Sequence, residues 1–75
     1  MKLEKFIETN VNAWDYMTFY DRNNMRIMGS PKGTIDPKLL NKEIINITFD
    51  EDDDFVIILD CRIAYEKGVG NYEII

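Results

Sequence analysis

Residues 43–60 read EIINITFDEDDDFVIILD. Two apolar runs, Glu43–Phe49 and Phe55–Leu59, flank five consecutive carboxylates: Asp50, Glu51, Asp52, Asp53 and Asp54. The first run alternates. Ile45, Ile47 and Phe49 fall on one side, and Ile44, Asn46 and Thr48 on the other, which is the pattern of a half-buried strand. The second run is apolar throughout, so it predicts a central strand covered on both sides. Together they predict a β-hairpin with an acidic tip.

Working back from this hairpin, Asp36-Pro37 is a helix-start signal. Asp caps unpaired backbone N–H groups, and Pro fits the first helical position, where its missing N–H costs nothing. Pro37–Asn41 is short, so one turn is expected, with Leu39 or Leu40 pressed into the core. Gly29-Ser30-Pro31-Lys32-Gly33 is a breaker cluster and reads as loop. Met25–Met28 reads as a return strand, after a turn at Asp21-Arg22-Asn23-Asn24 whose asparagines accept positive φ. Trp14–Tyr20 is rich in aromatics and predicts a strand. Its faces are Trp14/Tyr16/Thr18/Tyr20 and Asp15/Met17/Phe19/Asp21. The aromatic face is expected to pack beneath the N-terminal helix; the alternatives are a protein-binding patch or a platform for stacking bases.

The chain opens with Leu3, Phe6 and Ile7 at helical spacing, predicting a short helix over Lys2–Glu8 with Thr9-Asn10 as its exit. Val11 and Trp14 continue the stripe, so a helix running to about Trp14 is one alternative, and a first strand is another. Beyond the hairpin, Ile63–Tyr65 reads as a weak strand and Lys67–Asn71 as a turn. Tyr72–Ile75 is expected to dock, as a final strand or against a second copy. No internal repeat is evident.

These elements predict one domain over residues 1–75. The class is α+β: a small antiparallel sheet of four to six strands with a short N-terminal helix on one face. An SH3-like small β-barrel is the alternative. A chain of this length buries only ~60% of the surface that its unfolded form exposes, so every apolar strand counts. Cys61 is the single cysteine, which excludes an intramolecular disulfide and suits a reducing cytoplasm. No apolar run approaches the ~18 residues of a membrane span, and no secretory leader is indicated.

The formal charge is −5, and there is no histidine. The negative field opposes direct binding to nucleic acid or to an anionic membrane. The missing histidine removes the commonest general base and metal ligand. Asp50, Asp52 and Asp54 occupy the first, third and fifth places of a calcium-loop template, but Phe55 and Cys61 stand where that template needs Gly and Glu. The acidic run therefore reads as a solvated hairpin tip, a weak divalent-ion site or an electrostatic contact surface. Cys61 ends an apolar strand and reads as a small buried hydrophobe rather than a nucleophile. The Gly-containing segments match no phosphate-binding loop.

The segments LEKFI, TFYDRNN, IDPKLLNKEIINITFD and FVIILD occur in this order within residues 2–60, about four-fifths of the chain. This order resembles small uncharacterised proteins encoded by phages and prophages of low-GC Gram-positive bacteria. Those proteins show a short leading helix, a YD-turn hairpin, a DP-x-LL-x-KE connector and a closing hairpin. The resemblance carries no catalytic motif, and the Cys61–Ile75 tail departs from it. It implies a phage or mobile-element accessory protein in the cytoplasm of a host cell.

The functional expectation is a non-enzymatic acidic interaction module with no cofactor and no metal. Its partner is a host or phage protein. Asp50, Glu51, Asp52, Asp53 and Asp54 are the candidate contact residues, and Trp14, Tyr16 and Tyr20 form a candidate aromatic interface. A sharper form is nucleic-acid mimicry toward a defence nuclease. The alternative is a structural piece that forms a homodimer through its C-terminal edge.

Overall fold

The computed structural model describes residues 1–9, 16–31, 34–65 and 72–75. Helix α1 covers Leu3–Thr9, one residue later than expected at each end. Lys2 is not helical because it forms an antiparallel bridge with Glu43. Two backbone bonds hold this contact: the Leu3 N–H donates to Lys42 O, and the Ile44 N–H to Met1 O. The Thr9 hydroxyl bonds back to the carbonyls of Lys5 and Phe6. The predicted exit at Asn10 and the stripe through Val11 and Trp14 lie outside the described residues.

Strands β1 (Tyr16–Tyr20) and β2 (Arg26–Pro31) form the first hairpin, and β3 (Ile44–Phe49) and β4 (Phe55–Leu59) the second. The sheet order is β2-β1-β4-β3. Each hairpin is antiparallel, but β1 and β4 run parallel, with Met17 opposite Phe55 and Phe19 opposite Ile57. The α+β class holds with a mixed sheet in place of a purely antiparallel one. Among the described residues it is open at β2 and β3 and does not close into a barrel. Strands β5 (Ile63–Tyr65) and β6 (Tyr72–Ile74) make a separate antiparallel pair, so the tail docks as a strand of its own chain.

The core lies on one face of the sheet. Met17, Phe19, Ile57 and Leu59 are buried there beneath Leu3 and Phe6 of α1 and Leu39. Phe6 meets Phe55 edge to face, with centroids 5.2 Å apart, a favoured aromatic geometry. Leu39 sits on the short 3-10 turn Pro37–Leu39, which Asp36 caps by accepting the Lys38 N–H at 3.0 Å. Here the predicted signal, cap and buried leucine coincide.

Three expectations need correction. Gly29, Ser30 and Pro31 are not loop: they extend β2 opposite Thr18, Met17 and Tyr16. An edge strand tolerates Pro at its end, where its nitrogen owes nothing to the ladder. A Cβ at Gly29 would lie 1.9 Å from the Tyr16 hydroxyl oxygen, so the ends of the Tyr16 and Arg26 side chains would have to move aside. The tyrosine ring lies over a glycine, a cross-strand arrangement that shields exposed backbone.

The second correction concerns β3. Its register shifts between Ile44 and Asn46, so Ile45 forms a bulge. The extra residue turns Ile44 rather than Ile45 inward and leaves Ile47 and Phe49 on the side that alternation assigns them. Ile44 and Ile47 join the margin of the core, while Ile45 is 54% and Phe49 61% exposed.

The third concerns β1. The core face carries Met17 and Phe19, and Tyr16, Thr18 and Tyr20 are half-buried on the opposite face. The aromatic side therefore does not pack beneath the helix. Strand β4 is central, as expected, with Val56 and Ile58 half-buried on that outer face.

Candidate functional site

The acidic run forms the tip of the second hairpin, and its geometry follows from one side chain. Asp50 Oδ1 accepts the Asp52 N–H at 2.9 Å and the Asp54 N–H at 3.0 Å. The Asp50 N–H donates to Asp54 O, and the Asp53 N–H to Asp50 O. Asp53 takes a left-handed φ of 61°, which Asp tolerates better than most residues. The tip is thus a defined five-residue turn that projects Glu51, Asp52 and Asp53 into solvent, with Asp54 half-buried at its end. One carboxylate oxygen each from Asp50, Asp52 and Asp54 come within 4.8 Å of one another. Negative charge is therefore concentrated, though one Asp50 oxygen already serves the turn.

The first hairpin carries the same turn. Asp21 Oδ1 accepts the N–H groups of Asn23 and Met25, both at 2.9 Å. The Asp21 N–H donates to Met25 O, the Asn24 N–H donates to Asp21 O, and Asn24 has φ of 62°. Five hydrogen-bonding and backbone features recur at the same offsets. The sequence signal is Asp-x-Asn/Asp-Asn/Asp at 21–24 and again at 50–53. The chain does contain a local repeat, then, hidden because the second copy looks like a charge run.

The two turns differ in burial. Asp21 is 1% exposed, and its Oδ2 accepts the Ile63 N–H at 3.1 Å. Arg22 N–H donates to Cys61 O. One carboxylate thus closes the first hairpin and pins the β5–β6 pair to it. Burial pushes the Asp21 carboxyl up, but hydrogen bonds from Met25, Ile63 and Asn23, with the Arg22 charge, together hold it below its ordinary value. In the sequence Asp21 is both a turn residue and a member of the Met17/Phe19 face, and the two together signal a buried turn carboxylate.

A second polar cluster fixes the other side of the β5–β6 pair. The Tyr72 hydroxyl donates to Asp36 Oδ2 at 2.6 Å, and Lys38 Nζ lies 4.6 Å above the Tyr72 ring. Burial and the Asp36 carboxylate push the Tyr72 hydroxyl well above the usual phenol range. Burial raises the Asp36 carboxyl, and the bonds from Tyr72 and Lys38 outweigh this and lower it overall. The Tyr65 hydroxyl bonds to the carbonyls of Arg26 and Ile27. These contacts fasten the tail to the 3-10 turn through Asp36 and Lys38 and to β2 through Arg26 and Ile27.

Of the aromatic candidates, Tyr16 and Tyr20 share the outer face of the sheet, and Trp14 lies outside the described residues. Cys61 is 2% exposed within the core, and burial followed by the nearby Asp21 charge pushes its thiol up. Among the described residues no helix is long and apolar enough to cross a membrane. No family model, curated protein or solved structure matches the chain.

Proposed function

We propose that this chain is a non-catalytic protein-interaction module, an accessory protein of a phage or other mobile element acting in the host cytoplasm. The observation that supports it is the acidic tip. Five consecutive carboxylates sit on a turn whose backbone is fixed by Asp50. A preformed cluster of charge loses little conformational freedom on docking and complements a basic surface. A nuclease groove that binds phosphates is one such surface, and the tip would occupy it as a mimic of nucleic acid.

The test is the triple variant Asp52→Asn, Asp53→Asn, Asp54→Asn. It keeps Asp50 and the turn, and Asn still tolerates the left-handed position. The partner is a basic protein recovered from a low-GC Gram-positive host, and its affinity is measured across ionic strength. The reading expects weaker binding and a shallower salt dependence in the variant. Unchanged affinity removes the tip from the function.

A further inference from the structure

The open edge of β3 is short and has a definite chemistry. At its start the outer side is covered, because the Ile44 N–H donates to Met1 O and Lys2 bridges Glu43. After the bulge at Ile45, the outward backbone groups belong to Ile47 and Phe49. The Ile47 N–H is taken only by the neighbouring Asn46 Oδ1, at 3.0 Å. Asp50 N–H turns inward to Asp54 O, so its predecessor Phe49 points outward by alternation. Phe49 is 61% exposed, with its ring tilted 35° against that of Phe55, centroids 5.0 Å apart.

From this geometry we infer that a second copy of the chain pairs antiparallel with Asn46–Phe49, joining two four-stranded sheets into one. The register follows from the outward residues. Ile47 of each copy meets Phe49 of the other, which places Thr48 on the two-fold axis opposite itself. Aromatic–β-branched and Thr–Thr pairs are both favourable across antiparallel strands. The charges also agree. At the start of β3, Lys2 and Lys42 flank Glu43, whose carboxylate is paired with the Met1 ammonium at 3.0 Å, and the five carboxylates follow its end. Antiparallel pairing brings the acidic turn of each copy toward Lys2 of the other. It also keeps the two acidic turns about eight residues apart along the strands. That is roughly 25 Å at ~3.3 Å per residue, beyond the ~8 Å Debye length at physiological salt. The contact is isologous and closes on itself, so it gives a dimer and not a fibre. Asn46 acts as a plug that must swing aside. This surface is separate from the β6 edge and does not depend on the proposed function of the tip.

The experiment is sedimentation of the intact protein from about 20 μM to 1 mM, the range suited to a small interface. Backbone amide shifts are followed over the same series. Wild type is expected to dimerise, with concentration-dependent shifts at Ile47 and Phe49. Thr48→Glu and Thr48→Lys each place like charges on the axis and should weaken association at least about tenfold. An equimolar mixture of the two should restore it, because opposite charges then meet. Asn46→Ala removes the plug and should strengthen association several-fold. A monomer throughout the range overturns the inference. So does wild-type association by both Thr48 variants, or shifts confined to Tyr72–Ile75.

Discussion

Replacing Asp21 by Asn changes one oxygen to an NH2 group and nothing else in size. In the native turn both oxygens are occupied: Oδ1 takes two N–H groups and Oδ2 takes that of Ile63. Asn has one acceptor oxygen. If it stays on the turn, its NH2 faces the Ile63 N–H, and two donors oppose each other in a site that is 1% exposed. A buried unsatisfied donor costs about 1–3 kcal/mol, and the remaining bonds lose their charge assistance. The expected loss is about 2–3 kcal/mol. A domain of this length has roughly 4–11 kcal/mol in total.

The control is built into the chain, because Asp50→Asn makes the same change in the same turn. There the residue is exposed, the Oδ1 bonds to Asp52 and Asp54 survive, and the loss should stay below about 1 kcal/mol. Urea unfolding of both variants measures the difference directly. By melting, Asp21→Asn should fall by roughly 10–20 °C and Asp50→Asn by much less. The pH dependence separates them again. The Asp21 carboxyl is lowered in the folded state, so its contribution is present above the ordinary Asp value and is lost as pH falls through the folded one. Asp21→Asn should therefore flatten the acid limb of the stability profile. Equal losses in the two variants would refute the view that burial and the Ile63 bond set Asp21 apart.

Two further outcomes follow from the packing. Gly29→Ala should cost no more than about 1 kcal/mol, because the new methyl meets the movable ends of the Tyr16 and Arg26 side chains. In a Tyr16→Ala background most of that cost should vanish, which a double-mutant cycle reads directly. Tyr72→Phe removes the bond to Asp36 and should cost about 1 kcal/mol near neutral pH. The Tyr72 hydroxyl is raised in the folded state, so its contribution is complete below the unfolded phenol value of about 10 and is lost at higher pH. Unfolding measured between about pH 8 and 11 should show a larger alkaline loss in wild type than in Tyr72→Phe, which keeps only the part due to the raised Cys61 thiol.

Local chemistry made the elements legible from the sequence. Alternation and β-rich composition marked β1, β3 and β4, Asn24 marked the first turn, and Asp36-Pro37 announced both the 3-10 turn and its buried leucine. Each signal acts between residues a few positions apart, so the sequence carries it unaided. The acidic tip was legible too, as charge. Its internal construction was not, because the Asp50 carboxylate reads as one more acid in a run until its bonds to Asp52 and Asp54 are seen.

Tertiary structure decided which way these pieces faced and met. A period of two assigns Tyr16 and Met17 to opposite faces without saying which face is inside. The parallel partner β4 settled it by placing Phe55 and Ile57 beside Met17 and Phe19, on the side that α1 covers. Gly29–Pro31 became strand because β1 lay alongside, overriding their preference for turns. One inserted residue at Ile45 put Ile44 in its place on the inner side of β3, while Ile47 and Phe49 kept theirs. Asp21 became a buried fastening only when β5 brought the Ile63 N–H to its second oxygen. These outcomes depend on contacts between residues far apart in the chain. Periodicity, capping and turn preferences act locally and hold no record of them.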